Sequence, residues 1–300
     1  MSAPPLVSVI IPCHNSAAFV HGAFNSVLNQ SFKNIEIILV DNNSTDQTPE
    51  ILSGFSARHP GKVVFLREDR QGAAAARNRG LASARGAYVQ FLDSDDVLLQ
   101  EKVQRQLETG LATHADLVVG NYFQVAGDKV KMIRAANDPW TGLASSRLGI
   151  TSANLWKRDA VAKAGGFDET YSSSEEYRLM FHMLKSGSRV AYDPACLTRV
   201  YWRDESVGKS KDHERQALIW RQIFDLRMEI RQFLEEKDMF RGKVRFAWEY
   251  YMYSHLVHLR DRFPEIHDTY MPRLRHRLPP WRVARPLMGR ALRRIIRRLL

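Results

Sequence analysis

The sequence predicts an α/β fold on a mainly parallel central sheet, and three observations carry that prediction. Four apolar runs, Leu6 to Pro12, Ile35 to Val40, Val63 to Leu66 and the one opening Ala87 to Val97, are separated by helical patterns. Strands alternating with helices build a parallel sheet. The first, second and fourth runs each stop on a polar cluster, at His14 and Asn15, at Asp41 to Asp46, and at Asp93 to Asp96. Ligands in such sheets bind beyond the carboxyl ends of the strands, so three polar ends in series argue for one shared site.

The elements follow in order. Pro12 ends the first strand, and Ala17 to Gln30 has helical spacing through Phe19, Ala23, Val27 and Leu28, with Ser16 placed to cap it. Thr48 to Phe55 opens a second helix. Gly72 to Arg85 is an alanine-rich third helix entered through glycine, and Glu175 to Lys185 reads as another. Beyond Asp212, Ile219, Ile223, Leu226, Ile230 and Phe233 recur at helical spacing, as do Val244, Trp248, Tyr251, His255 and Leu259. Stripes of this kind are packing surfaces or subunit contacts and give a helical C-terminal extension. The boundaries expected are 1–108, 109–210, 211–280 and 281–300.

Three hundred residues that are 44% hydrophobic give ample material for a core. Cys13 and Cys196 offer no disulfide framework and no metal spacing, which fits a reducing, cytoplasmic setting. The N-terminus has no signal-like apolar core, and no apolar run approaches the roughly 18 residues of a membrane-spanning helix. The net charge of +11 is concentrated. Met271 to Leu300 holds ten arginines and no acidic residue, leaving the other 270 residues at +1.

The run AYVQFLDSDDV, Ala87 to Val97, is the centre of the chemistry. Three carboxylates within four residues repel one another, so a fold that keeps them together uses them. One reading is a divalent-cation site completed by a ligand's phosphates. The other is an acidic loop that caps the following helix. No G-x-G-x-x-G follows the first strand and no G-x-x-x-x-G-K-[ST] occurs, which disfavours dinucleotide dehydrogenases and P-loop ATPases.

VSVIIPCHN, ILVDNNSTDQT and GAAAARNRGLASARGAYVQFLDSDD, in that order, resemble the nucleotide-sugar half of the inverting family 2 glycosyltransferases, over roughly residues 6–108. TSANLWKRDAVAKAGGFDETYSSSEEYRLMFHMLKSG resembles the acceptor half. The resemblance implies a GT-A fold and a metal-dependent, inverting transfer from a nucleoside-diphosphate sugar, a UDP-sugar first among them. Pro12, His14, Asn15, Asp41 and Asn42 would cradle the nucleotide, with Asn42 where relatives that read uracil often have Asp. An amide there alters what is read on the base edge. Arg77, with Asn78, would point toward diphosphate and ribose. Asp93 and Asp95 match the D-x-D motif and would hold Mn²⁺ or Mg²⁺ beside Ser94, with Asp96 behind them.

On the acceptor side the resemblance implies Gly166, Phe167 and Asp168 lining the site. Glu176 takes the position of the usual catalytic Asp, with Glu175 as the alternative base. The extra methylene of Glu176 shifts the carboxylate by roughly an ångström, which matters to a base that must reach a hydroxyl. A plainer reading has both glutamates favoured at a helix N-terminus by the dipole. Arg203 stands where relatives often carry a metal-ligating His.

Between Arg285 and Leu300, Leu287, Met288, Ala291, Leu292, Ile295, Ile296, Leu299 and Leu300 share one helical face. Arg290, Arg293, Arg294, Arg297 and Arg298 fill the other. A basic amphipathic helix fits an anionic membrane surface, and nothing else in the chain supports nucleic acid as a partner. The expected protein is therefore a peripheral enzyme of the inner membrane face, acting on a glycan or lipid-linked acceptor, with oligomers possible. The rival is a degenerate scaffold of the same fold, since Asn42, Glu176 and Arg203 all depart from pattern. A sugar-1-phosphate nucleotidyltransferase is disfavoured because IPCHNSAAF lacks its glycine-rich, basic loop.

Overall fold

The computed structural model describes residues 4–202 and 212–275. In chain order these form β1 (Val7–Cys13), α1 (Val20–Leu28), β2 (Ile35–Asp41), α2 (Thr48–Arg58), β3 (Val63–Arg67), α3 (Ala73–Ser83), β4 (Tyr88–Phe91), β5 (Val97–Leu98) and α4 (Lys102–Thr113). There follow β6 (Leu117–Ala126), β7 (Lys129–Ile133), α5 (Pro139–Ala144), β8 (Leu155–Lys157), α6 (Arg158–Lys163), α7 (Glu175–Lys185) and β9 (Val190–Tyr201). The helices α8 (His213–Glu236), α9 (Gly242–Leu259), α10 (Pro264–Tyr270) and α11 (Pro272–Arg275) complete the described chain.

The strands join one sheet in the order β3-β2-β1-β4-β8-β6-β9-β5, with β7 paired to β6. The pairs among β1, β2, β3 and β4 are parallel, as is β6 with β9, while β8 runs antiparallel to both β4 and β6. Residue 108 lies inside α4, and β8, paired with both β4 and β6, joins the strands on either side of it into one sheet. Every residue of β2 and β4 is buried, as a strand covered on both faces requires.

Alternation divides the core. Val7, Val9, Ile11, Ile37 and Leu39 pack with Val20, Phe24, Leu52 and Val103 on one side. Ile10, Ile38, Val89 and Phe91 pack with Ala74, Ala76, Leu179, Met180 and Phe181 on the other. Gly80 of α3 lies directly against Ile10, where a Cβ would collide. Leu226, Ile230 and Leu234 of α8 join this second cluster, while Phe224 faces Trp248, Met252, Leu256 and Phe263 in a third. The stripes on α8 and α9 are thus internal packing surfaces.

One element begins later than its pattern predicts. The first helix starts at Val20, and its end is not capped by a side chain. The Ser16 carbonyl accepts the amides of Phe19 and Val20, while its hydroxyl donates to the His14 carbonyl and meets Ser94 Oγ at 2.7 Å. Tertiary bonds between strand ends have taken the hydroxyl that would otherwise cap the helix.

Candidate active site

The parallel register places Cys13 beside Asp41, so the ends of β1 and β2 open together, and β4 ends on the same edge of the sheet. The acidic turn after β4 is held by its own backbone and by two neighbours. The Asp96 amide donates to the Asp93 carbonyl at 3.0 Å, the Asp93 amide to Ser152 Oγ at 3.1 Å, and the Tyr201 amide to Asp96 Oδ1 at 3.2 Å. Asp96 is 2% exposed. Burial, and then the fields of Asp93 and Asp95, hold its carboxyl well above the usual carboxylate range. It binds β9 behind the site, and Asp93 and Asp95, both partly exposed, face outward.

Arg77 joins the two halves. From α3, Nη2 donates to Asp93 Oδ1 at 2.7 Å and Nη1 to Glu175 Oε1 at 2.6 Å, while the guanidinium lies 5.4 Å from the centre of the Phe167 ring. Burial opposes its charge, but Asp93 and Glu175 outweigh burial and hold the proton more firmly than usual. Arg77 is thus a buried bridge between the D-x-D turn and the start of α7.

Glu175 is occupied by that bridge, and Glu176 is not. Glu176 is partly buried in the first turn of α7. Desolvation pushes its carboxyl up, the Glu175 charge pushes further, and its own amide and Arg77 pull it back, leaving it at about 7. A carboxylate near 7 is matched to taking a proton at neutral pH. Tyr122 of β6 completes the surroundings. Burial, Glu176 and Asp96 together push its hydroxyl up to about 12. No motif covers Tyr122, which the pairing of β6 brings to the site, while Ser152 stands in the TSANLWK run just before β8 with nothing in that run to mark it as a contact of Asp93.

The nucleotide side is equally specific. Asp41 is 5% exposed, and its Oδ1 is buried with no hydrogen-bond donor among the described residues. Asn42 spends its amide on the loop 68–72. Its nitrogen donates to the carbonyls of Glu68 at 2.8 Å and Arg70 at 2.7 Å, and its oxygen accepts the Gly72 amide at 2.7 Å. It pins that loop beside the end of β2. His14 Nδ1 sits 2.7 Å from the Asn42 carbonyl, which fixes an exposed ring at the rim. Asn15, at φ 47°, accepts the Thr45 amide through Oδ1 at 2.8 Å and ties the two turns together. Pro12, one residue before the end of β1, is partly buried behind them.

The loop around Phe167, expected on the acceptor side, is clamped to α3. Asn78 Nδ2 donates to the Phe167 carbonyl at 2.8 Å, and Asn78 Oδ1 accepts the Phe167 amide at 2.9 Å. Gly166 has φ +73°, and a Cβ there would stand 2.8 Å from Asn78 Oδ1. Phe167 is buried edge-on against Phe91. Asp168 accepts Arg178 Nε at 2.7 Å and the amide of Thr170 at 3.0 Å, so its charge is used to hold the loop. Arg203, Arg290, Arg293, Arg294, Arg297 and Arg298 lie outside the described residues.

Among the described residues no three His, Cys, Asp or Glu side chains gather closely enough to cage a metal ion. The D-x-D pair fits a weaker kind of site. Asp93 commits one oxygen to Arg77 yet its side chain is 38% exposed, and Asp95 lies beside it. One or two carboxylates with a ligand's phosphates supplying the rest is how Mg²⁺ is usually held.

The model of the family described as "Glycosyl transferase family 2" matches residues 8–168, more than half of the chain and all of the nucleotide-side elements. The chain belongs to glycosyl transferase family 2. An uncharacterized glycosyltransferase of Haemophilus influenzae is 39% identical over 131 residues, covering 43% of this chain and 52% of that protein. The glycosyltransferase GlyG of Streptococcus pneumoniae is 36% identical over 118 residues, covering 39% of each. The matches thus span about half or less of these relatives. The fold extends further. The crystal structure of Staphylococcus aureus TarS 1-349 in complex with UDP-GlcNAc superposes with a TM-score of 0.63 at 18% identity, covering 89% of this chain and 92% of that one. The likeness shows a GT-A-like mixed sheet for this chain, which also carries a helical C-terminal region. No described helix is long and apolar enough to cross a membrane.

Proposed function

We propose that this protein transfers a sugar, with inversion, from a nucleoside-diphosphate sugar to a hydroxyl of a glycan or lipid-linked acceptor. The observation that carries the reading is the division of labour at the start of α7: Glu175 is locked to Arg77, while Glu176 stands beside it near pH 7. Glu176 takes the proton of the acceptor hydroxyl as the oxygen attacks the anomeric carbon from the face opposite the leaving diphosphate. Tyr122 walls the pocket, and the Asn78 clamp fixes the loop on which the acceptor rests. On the donor side the unpaired Asp41 Oδ1 is available to a base N–H, and a uracil ring offers one. UDP-GlcNAc bound to the TarS neighbour agrees with that donor class. Asp95, with Asp93, would hold Mn²⁺ or Mg²⁺, whose contribution is to neutralise the departing diphosphate. The arginines of residues 285–300 would bring the enzyme to an anionic membrane surface from the cytoplasmic side.

The test is calorimetric titration with UDP, GDP, ADP and CDP, with Mn²⁺, with Mg²⁺ and with EDTA. UDP binding that needs the ion and disappears in Asp95→Ala is the expected result. Absence of nucleotide binding under every condition would favour the degenerate-scaffold reading.

A further inference from the structure

The β6–β7 hairpin carries charge in a place the reaction does not explain. Its register pairs Tyr122 with Ile133, Gln124 with Lys131, and Ala126 with Lys129. Opposed residues share a face and alternate along each strand. Tyr122, Gln124, Lys131 and Lys129 therefore occupy one face, and Phe123, Val125, Met132 and Val130 the other. The first face is that of the site, because Tyr122 lies in the fields of Glu176 and Asp96. At about 3.4 Å per residue, Lys131 and Lys129 stand roughly 7 and 14 Å along the strand from the Tyr122 row. Both are exposed. The countercharge on the hairpin is Asp128, in the turn itself, while Arg134 follows β7 and keeps the segment net positive. Trp202, whose amide donates to the Val125 carbonyl at 2.8 Å, is 55% exposed at the same end of the hairpin.

We infer that this face is an acceptor subsite for an anionic glycan, one bearing carboxylates or phosphates within a few sugar units of the accepting hydroxyl. The inference rests on the glycosyl-transfer reading for the meaning of "acceptor", but the binding it asserts stands by itself. Asp93, Asp95, Glu175 and Glu176 make the reaction centre acidic, with Arg77 the cation placed between two of them. Such a centre repels an anionic chain unless cations meet the chain beyond it. The two lysines lie about one to two Debye lengths beyond the Tyr122 row at physiological salt, so they attract a chain's charges there while the carboxylates act mainly on the hydroxyl's immediate surroundings. A lysine head serves either anion as a point charge, and an exposed indole gives a sugar ring a face to rest on. A neutral acceptor gains nothing from this arrangement.

The experiment uses the full chain and the double variant Lys129→Glu, Lys131→Glu. Binding of oligogalacturonate, oligo(glycerol phosphate) and neutral maltohexaose is titrated at low and at physiological salt. UDP binding and the melting temperature are recorded on the same samples. The expected result is salt-sensitive binding of an anionic oligomer, at least tenfold tighter than maltohexaose. The double variant should lose that binding tenfold or more, with UDP affinity and melting unchanged. Equal binding by the variant, equal binding of the neutral oligomer, or no binding of either anionic oligomer overturns the inference. Lysine-dependent binding confined to vesicles of anionic phospholipid overturns it too. Absence of UDP binding in the wild type would instead count against glycosyl transfer, whatever the oligomers do.

Discussion

If Glu176 is the base, two neighbouring substitutions must move its titration in opposite directions. Glu175 raises the Glu176 carboxyl and Arg77 lowers it, against a desolvation that both variants leave in place. Removing the charge of Glu175 as Gln should shift the acidic limb of kcat/KM below its wild-type position near 7. Removing Arg77 as Met should shift the limb above it. A unit charge about 6 Å away at an effective dielectric of 20 contributes roughly 2.8 kcal/mol, about two pKa units, as an upper bound. Solvent at a partly buried carboxylate reduces this to about one unit in each direction. The Arg77 variant also strips Asp93 and Glu175 of a partner whose side chain is 6% exposed, which costs about 3–5 kcal/mol. With about 2.1 cal/mol/K per residue, that lowers Tm by roughly 5–8 °C, so the assay is run well below the transition. The readout is release of UDP from UDP-GlcNAc between pH 5 and 9. Limbs that shift the same way, or that do not shift, would refute the electrostatic argument for Glu176.

Further outcomes follow from the same geometry. Glu176→Gln should lower kcat by about 10²–10⁴. It should also raise Tm at pH 8, because a carboxyl raised above its unfolded value stabilises the fold below that value and the gain is lost as pH rises through about 7. Asn42→Asp should not improve uridine recognition. It turns two donors into a carboxylate facing the Glu68 and Arg70 carbonyls, costing about 2–5 kcal/mol and roughly 3–8 °C in a thermal melt. Gly166→Ala forces φ +73° on a residue with a Cβ and presses it against Asn78, for about 1–3 kcal/mol by denaturant titration. Deleting residues 285–300 should move the protein from sedimenting anionic liposomes to the supernatant, and unchanged co-sedimentation would remove the case for a membrane-binding tail.

Much of the molecule is legible in the order of its residues because the information is local. Short apolar runs mark the strands ending at Cys13, Asp41 and Phe91, and a polar cluster just past a buried strand opens toward solvent or ligand. The acidic turn Asp93 to Asp96 and the glutamate pair Glu175 and Glu176 are visible for the same reason, since clustered charge needs a use. What each charge does was decided by distance in space. Arg77 and Glu175 are 98 positions apart in sequence and 2.6 Å apart in the fold, so only the tertiary structure determined that Glu175 is the paired carboxylate and Glu176 the raised one. That the amide of Asn42 holds the loop 68–72 is likewise set by residues more than twenty positions away. Ser16 looked like a helix cap until Ser94 took part in binding its hydroxyl. Tyr122 carries no mark of its own, and the sheet order that sets β6 between β8 and β9 is what brought it to the site. Short-range patterns determine which elements exist and which of their ends are polar. Pairing between distant polar groups, governed by burial and a few ångströms of separation, determined which of those groups remain available for chemistry.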